Sequence, residues 1–407
     1  MTATQFIDRP EEVSDLCRHL REAGEFALDT EFVTEDTFTP LLCLVQVATR
    51  DRLAIVDALA VPELGELWSI FSGPGCRVVA HAADAEVRFC RHNLGRPPAP
   101  VFDVQIAAGL AGYGYPLSYT NLVRRVLGAN VRGSETRTDW RRRPLTEKQL
   151  HYALEDVRHL LAIRDKLAEE LGRAGRLAWA EEEFHEQVTR SEPADGEAWR
   201  RVSGVTSLNR RQLAVLSELA AWRAVEAKER DRPVRSVASD DVLIELAKRQ
   251  PTDLRDLVMF RGMNRRHLRR VADQLLAAVR RGLDVADADC PSLPPKPDDS
   301  ERVRILTGVL STALVALCAR EKLPPAMVAS TGDLTHLVRG YITTGAIPSG
   351  SPLASGWRHH LCSRLLVDLL EGKLCLRIED VRADMPLVIE ASRTEDRGPR
   401  TEDGRPM

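Results

Sequence analysis

A chain of 407 residues is long for a single domain and predicts two or three domains. Its hydrophobic content of 43% can build real cores, while a net charge of −3 excludes a chain that is basic or acidic throughout. Eight cysteines without a C-x-x-C pair, no secretory signal and no apolar stretch near the ~18 residues of a membrane span predict a reduced, cytoplasmic protein without a membrane segment.

The N-terminal 1–175 alternates strand-like and helix-like segments. FALDTEFV, LCLVQVAT and RLAIVDAL follow one another with turn residues between them, which predicts an antiparallel meander. CRVVAHAA predicts a fourth strand that runs into a helix, and further helices are predicted at 103–111, 118–127 and 146–171. Strands followed by helices that pack on them favour an α/β domain.

The remainder of the chain has a mainly helical pattern. Residues 176–208 are predicted to connect the α/β domain to an all-α domain over 209–285. A linker over 286–301 is stiffened by four prolines. A second helical domain is predicted over 302–390, followed by a disordered tail over 391–407.

Carboxylates occur at unexpected places in the α/β domain. Asp29 and Glu31 are two residues apart in an apolar strand, so both point to one face, where they repel each other and lose hydration. Asp156 follows Tyr152 by four residues in a helix, on a stripe beside its apolar face. Taken singly, each acid is most simply structural or solvated, but together these acids could converge on one spot.

Three further acids lie in the same domain. Asp84 and Glu86 stand at the start of the helix that follows the fourth strand. Asp103 directly precedes a helix, which predicts that it caps the helix N-terminus.

Several carboxylates in one place need cations, because otherwise some of them must bind protons. Hard divalent ions such as Mg²⁺ prefer oxygen ligands and keep room for water and phosphate oxygens. Two such ions ~4 Å apart can activate a water and stabilise the leaving oxygen of a phosphodiester. Metal binding would therefore explain two acids in an apolar strand.

Four motifs now resemble a known family. ALDTEF, HAADAEVRFC, FDVQIAAG and SETRTDWRRRPLTEKQLHYALEDVRHL, in this order, are similar to the exonuclease domain of bacterial ribonuclease D. That domain belongs to the DEDD class of 3′→5′ exonucleases and has an RNase H-like fold. The likeness continues through RRQLAVLSELAAWR into 209–282, which resembles an HRDC module. The last hundred residues match loosely, and a second, degenerate HRDC-like module is predicted there.

The resemblance implies two divalent metal ions, Mg²⁺ or Mn²⁺, held by four acids, with a tyrosine that orients the attacking water. Carried over by position, three ligands are Asp29, Glu31 and Asp156. The tyrosine is Tyr152.

The fourth ligand departs from the family pattern. The family has an aspartate five residues after the histidine of the second motif, and Glu86 stands there in this chain. Asp84 would face away from Glu86 by about 200° on a helix. Glutamate is longer by one methylene, ~1.5 Å, which another rotamer can absorb. We therefore expect Glu86 to be the ligand.

Two arginine-rich runs indicate a nucleic-acid partner. Seven arginines face two acids over 124–143, and eight face two acids over 255–281. Guanidinium groups pair well with phosphates, whereas an aromatic content of 5% gives few residues for base stacking. The candidate phosphate contacts are Arg137, Arg141, Arg142, Arg143, Arg261, Arg265, Arg266, Arg269 and Arg270.

The sequence thus predicts a metal-dependent 3′→5′ exoribonuclease that acts on structured RNA ends, with tRNA precursors implied by the resemblance. One alternative is an RNA-binding protein that kept the fold but lost catalytic strength when Glu86 replaced the aspartate. Another is a DNA exonuclease, since the same chemistry cuts either polymer and HRDC modules also occur in DNA helicases. The oligomeric state stays open.

Overall fold

The computed structural model describes residues 3–96, 98–131, 138–190, 195–259, 266–293 and 300–392. Within these ranges the N-terminal part forms a mixed sheet of six strands in the order β1-β4-β3-β2-β5-β6. The strands are β1 (Ala3–Ile7), β2 (Glu25–Val33), β3 (Leu41–Ala48), β4 (Arg52–Asp57), β5 (Arg77–Ala80) and β6 (Phe102–Asp103). β2, β3 and β4 form the predicted antiparallel meander, while β1, β5 and β6 each pair in parallel with a neighbour.

Helices cover both faces of this sheet. They are α1 (Pro10–Ala23), α2 (Gly65–Phe71), α3 (Asp84–Leu94), α4 (Val104–Leu110), α5 (Tyr119–Leu127), α6 (Glu147–Arg158), α7 (Leu160–Arg173) and α8 (Leu177–Thr189). The single helix expected over 146–171 is wrong, because the chain breaks at His159 into α6 and α7. α6 packs across β2, β3 and β4, whereas α7 packs on α4, α5 and β5, so the break lets each half follow its own surface.

The side chains of β2 alternate between two cores. Phe26 and Leu28 pack with the helices on one face, and Ala27 packs into the core on the other. Asp29 and Glu31 share the side of Ala27 and therefore face α6. β5 pairs with β2 only over Glu25–Ala27, so the rest of β2 is paired with β3 alone among the described strands.

The middle of the chain is all-α in its described part, as predicted. After two short 3₁₀ turns, at Asp195–Arg201 and Val205–Ser207, its helices are α9 (Arg210–Glu229), α10 (Val234–Val237), α11 (Asp240–Arg249), α12 (Leu254–Val258), α13 (Arg266–Arg270) and α14 (Ala272–Asp284). Asn209 opens α9 with a capping box. These helices bury a core of their own, which includes Trp199, Leu219 and Leu275.

The C-terminal part is helical only at first. Its helices are α15 (Glu301–Glu321), α16 (Pro325–Val328), α17 (Thr331–Thr344), α18 (Gly356–Arg358) and, after a π-helical turn at His359–Ser363, α19 (Arg364–Leu370). The expectation of helix up to 390 is wrong, since β7 (Leu374–Ile378) and β8 (Leu387–Ala391) form an antiparallel hairpin. The alternating LCLRI and LVIEA segments carry that signal.

These C-terminal helices share one hydrophobic core with the exonuclease-like domain. Leu314 and Leu337 belong to the same cluster as Leu110 and Phe184. The Trp357 and Trp179 rings stack at 5.0 Å.

A tight packing contact and an ion pair also join the C-terminal helices to the domain that contains the sheet. A Cβ at Gly109 would meet the Met327 sulfur at 2.0 Å and the Tyr115 Cβ at 3.0 Å, so a larger residue there would have to displace the Met327 side chain. Arg358 binds the carboxylate of Glu183 through both terminal nitrogens. The last helices are therefore part of the same folded unit as the sheet.

Two features bear on the expected membrane and redox setting. α15 is long and apolar enough to cross a membrane by length and composition, so the expectation that no stretch reaches that size is wrong. Polar Thr307 and Thr312 lie within this helix, but its mean hydropathy is still high enough for a membrane span. Core helices of soluble proteins pass the same test, and Leu310, Leu314 and Leu317 are buried in the shared core. All eight cysteines lie in the described ranges and are free thiols.

Candidate metal centre

Three of the expected ligands come together. Among the described residues, the acids grouped closely enough to hold a metal ion are Asp29, Glu31 and Asp156. Each presents a carboxylate oxygen, and these three oxygens lie within 4.8 Å of one another. Two come from alternate positions of β2 and the third from α6, which crosses that face of the sheet. Asp29 is held between strand neighbours, whereas Asp156 lies in the last turn of α6, at the opposite end from the Thr146 cap of that helix.

Glu86 reaches the same strand from a different direction. It lies in the first turn of α3, is 4% exposed, and accepts a hydrogen bond of 2.6 Å from the Thr30 hydroxyl. Thr30 stands between Asp29 and Glu31 and points to the opposite face of β2. Glu86 is thus adjacent to the acids without joining their 4.8 Å group. Thr30 gave no sign of this role in the sequence.

Asp84 points elsewhere, as the helical geometry predicts. Its carboxylate accepts a hydrogen bond of 3.3 Å from the Gln187 amide on α8. The two acids of α3 therefore have different partners, and the partner of Glu86 lies on the strand that carries the other acids.

Asp103 caps α4, confirming the sequence prediction, and it also supports α3. Its carboxylate accepts from the backbone N–H of Gln105 at 2.8 Å and from that of Ala83, in the turn before α3, at 2.9 Å. Ala82 in this turn has a φ of 57°, a left-handed value that is unusual for alanine. The Gln187 amide donates to Asp103 at 2.9 Å. α8 thereby braces the turn that positions Glu86.

Burial and mutual repulsion raise the pKa of each acid in this site. Burial raises the pKa of Glu31 to about 8, with Asp156 and Glu86 adding repulsion. Burial likewise raises the pKa of Glu86 and of Asp156 to about 7. The pKa of Asp29 is raised by burial first and then by the three other acids.

This donor set fits hard divalent cations. All of its ligand atoms are carboxylate oxygens, which favours Mg²⁺, Mn²⁺ or Ca²⁺ over metals that prefer sulfur or imidazole. A cation bound there would also favour the ionised form of these groups, which burial and mutual repulsion disfavour.

We expect stability and metal binding to respond to pH in opposite directions. The folded protein binds protons at Glu31 that the unfolded chain releases above its ordinary pKa of 4.5. Without divalent cations, the free energy of unfolding should therefore fall as pH rises from about 5 to about 8. The stabilisation by Mn²⁺ should grow over the same window. Melting temperatures in EDTA and in Mn²⁺ would show both trends, and a flat EDTA profile would contradict the raised pKa values.

Tyr152 is placed beside the acids. Burial raises the pKa of the Tyr152 hydroxyl, which stays protonated. Its hydrogen bond with Asp156 offsets part of the rise in the pKa of that carboxyl. Its ring lies 6.2 Å from that of Trp140. Glu31, Tyr152, Trp140 and Arg141 line a cleft of about 540 Å³. The tyrosine therefore lies at the wall of this cleft with its hydroxyl bonded to Asp156.

Arg143 forms hydrogen bonds inside the domain. Its Nε and Nη2 bind the two oxygens of buried Asp57 at 2.5 and 2.6 Å. It also donates to the Trp140 carbonyl at 2.8 Å and to the Cys43 carbonyl at 3.3 Å. Because its nitrogens are bonded inside the domain, Arg143 has a structural role, and the phosphate contact expected of it stays a prediction.

Its neighbours remain closer to solvent. Arg141 is paired with Asp139 and Asp36 at the rim of the cleft. The Arg142 side chain is 83% exposed and 3.8 Å from Asp139, so it is the more available cation.

The second arginine run is described only in part. Arg269 and Arg270 are exposed on α13. Outside the described residues lie Arg137, Arg261, Arg265 and the side chain of Arg266.

The contrast between the two acids of α3 gives a test of the fourth ligand. Glu86→Gln keeps the size of the side chain but removes its charge. It should lower activity and raise the Mn²⁺ concentration needed by about 10-fold or more. Asp84→Asn, on the other side of the helix, should change both by less than about twofold. The reverse outcome, measured in Mn²⁺ titrations of activity, would make Asp84 the ligand.

Comparisons with known proteins point to one protein family. A family model described as 3′-5′ exonuclease matches residues 4–172, and the HRDC domain model matches 212–279. Ribonuclease D of Granulibacter bethesdensis is 33% identical over 381 residues, covering 92% of this chain and 94% of the relative. Ribonuclease D of Jannaschia sp. is 35% identical over 383 residues, covering 91% and 96%.

A solved structure extends the likeness to the whole architecture. The crystal structure of Escherichia coli RNase D, described as an exoribonuclease involved in structured RNA processing, has a TM-score of 0.81. It is 29% identical and covers 91% of this chain and 99% of its own. The chain therefore belongs to the ribonuclease D family, with a 3′→5′ exonuclease domain followed by an HRDC domain.

Proposed function

We propose that this protein is a metal-dependent 3′→5′ exoribonuclease that shortens the 3′ ends of structured RNAs, tRNA precursors among them. The observation that carries the proposal is the group of three carboxylates, Asp29, Glu31 and Asp156, beside the open part of β2. The exonuclease match and the likeness to the Escherichia coli exoribonuclease support the reaction and the polymer.

The acids of this site would hold the ions. We assign Asp29, Glu31 and Asp156 as ligands and Glu86 as the fourth, after its side chain turns from Thr30 toward the group. Two Mg²⁺ or Mn²⁺ ions held there would supply an activated water and stabilise charge on the leaving oxygen. The burial that now raises the pKa values of these acids also keeps bulk water away from the reacting phosphate.

Tyr152 is suited to position the attacking water. Its protonated hydroxyl donates to Asp156, so a lone pair on the phenol oxygen is left to accept a hydrogen bond from a water in the cleft. Tyr152→Phe keeps the ring that packs beside Trp140 and removes only the hydroxyl. Single-turnover hydrolysis should slow by about 10²-fold with little change in RNA affinity.

Tyr113 supplies a matched control for that variant. Its hydroxyl donates to Glu170 at 2.9 Å, on a part of the domain away from the acids. Tyr113→Phe should leave the single-turnover rate within about twofold. Equal rates for the two variants would remove Tyr152 from the mechanism.

Two hollows that both include Phe32 of β2 support binding of a single strand of nucleic acid. One is the cleft with Tyr152, and the other is a groove of about 390 Å³ that includes Phe32, Phe38, Arg88 and His92. Aromatic walls suit bases, and exposed cations suit phosphates. Their placement on either side of the strand that carries the acids suits a chain threaded toward the metal centre.

The HRDC domain supports the choice of a structured substrate. It offers the exposed Arg269 and Arg270, and its Asp231 accepts a hydrogen bond of 3.0 Å from the Phe38 backbone, in the loop that borders the groove. Deleting everything after residue 208 would also remove α15 and α17, which share the exonuclease core. Charge-reversal variants in α13 therefore test this domain better than truncation does.

A comparison of polymers and metals tests the function. A 5′-labelled tRNA precursor with a 3′ trailer and a DNA of the same sequence are incubated with Mg²⁺, Mn²⁺ or EDTA. We expect stepwise shortening of the RNA from its 3′ end, lost in EDTA, with the DNA cut more slowly. Preferred cleavage of DNA would instead support a DNA exonuclease.

A second candidate function rests on the present position of Glu86. Its bond to Thr30 keeps it out of the three-acid group, as expected of a protein that binds RNA without cutting it. RNA binding in Mn²⁺ with no shortened product would favour this candidate.

A further inference from the structure

A buried glutamine lies beside the metal centre with no bonding partner. Gln46, in the middle of β3, is 0% exposed. Neither its amide nitrogen nor its amide oxygen has a hydrogen-bond partner among the described residues. A buried amide left without partners destabilises the fold, so an apolar residue of similar size would make a more stable sheet.

The strand register shows which residue this amide faces. Gln46 is the cross-strand partner of Asp29 on β2 and of Ile55 on β4. Directly opposite residues of an antiparallel pair point to the same face, with Cβ atoms about 5 Å apart. Gln46 therefore lies next to Asp29 beneath α6, while the partner of Glu31 is the apolar Leu44.

The Asp29 carboxylate is an acceptor for the N–H donor that the Gln46 amide offers. The Asp29 carboxylate lies among three neighbouring acids, and the Thr30 backbone N–H is a donor to it. A carboxylate that binds a metal through one oxygen is normally held by a hydrogen bond to its other oxygen. A buried donor that is not bound elsewhere is suited to that task.

We propose that Gln46 is a positioning residue for Asp29, donating its amide N–H to the carboxylate oxygen that does not face the metal when divalent ions are bound. The inference rests on the proposed function, because it assigns Asp29 as a ligand. It explains why the strand keeps a polar residue that stabilises nothing in the absence of metal.

Gln46→Leu tests the proposal through two quantities, the melting temperature without metal and the affinity for Mn²⁺. Removing unpaired polar atoms should leave the melting temperature in EDTA unchanged or raise it. Loss of the donor should weaken Mn²⁺ binding by about 10-fold, measured by calorimetry without RNA. The single-turnover rate should fall, while the KM for RNA stays unchanged. Gln46→Met, which is unbranched like glutamine, gives the same comparison if Gln46→Leu does not fold.

Gln149→Leu is the matched control. Gln149 is also a buried glutamine of this domain, but its side chain is bonded within the Thr146 capping box. Its replacement should lower the melting temperature in EDTA and leave Mn²⁺ affinity within about twofold.

Two results would overturn the proposal. If Gln46→Leu lowers stability in EDTA and leaves Mn²⁺ affinity unchanged, the amide has a structural partner such as a buried water. If wild type binds no divalent cation, the inference falls together with the proposed function. Mn²⁺ binding without RNA cleavage would sink the proposed function alone, because the comparison of Mn²⁺ affinities would still decide the role of Gln46.

Discussion

Asp29→Asn should reduce the single-turnover rate of RNA hydrolysis by at least about 10³-fold in Mn²⁺, since losing a ligand removes several kcal/mol of charge stabilisation. The same change should raise the melting temperature in EDTA. The reason is that Asp29 is a buried acid surrounded by Glu31, Glu86 and Asp156, and a neutral amide ends that repulsion. Gain of stability with loss of activity is the expected behaviour of a residue kept for chemistry.

The control for this variant is an acid outside the group. Asp165 on α7 pairs with Arg50 at 2.9 Å on the surface. Asp165→Asn should change stability by no more than ~1 kcal/mol and leave hydrolysis unchanged. Near-full metal-dependent activity of Asp29→Asn would contradict the assignment of the metal centre.

Arg143→Ala should destabilise the protein by about 3 kcal/mol, because it leaves the buried Asp57 carboxylate without its cation. The Trp140 and Cys43 carbonyls would lose a donor as well. Since Trp140 packs beside Tyr152, activity should decline along with stability. Urea unfolding, followed by fluorescence and fitted with a common slope, measures the change in free energy of unfolding.

Two further variants sharpen the result. Arg142→Ala, at the adjacent exposed position, should change stability by less than ~0.5 kcal/mol and weaken RNA binding. Adding Asp57→Asn to Arg143→Ala should restore part of the lost stability by removing the unpaired charge. If Arg143→Ala is fully stable and loses only RNA affinity, the phosphate contact expected from the sequence is right after all.

The sequence predicts best what depends on neighbours along the chain. Alternation places Asp29 and Glu31 on one face of β2, and the helical repeat separates Asp84 from Glu86. The meander and the cap at Asp103 also follow from local pattern, because turns and caps are set within a few residues.

What the sequence misses depends on contacts between distant segments. The partner of Arg143 is Asp57, 86 residues away, and an arginine bound to a buried acid has the same local pattern as one on the surface. The partner of Glu86 is Thr30, which is set by how α3 packs against β2. The hairpin of β7 and β8 was missed because its short alternating segments follow a long helical stretch.

The first and last segments of the chain share one hydrophobic core. In topological terms the HRDC domain is therefore an insertion in one folded body rather than an appendage at its end, since the chain leaves that body before α9 and returns to it at α15. A domain fixed at both ends can turn in place, but it cannot swing away as it could on one tether. RNA bound at the phosphate contacts proposed for this domain would therefore stay at a high effective concentration near the acids, with less reach for distant RNA.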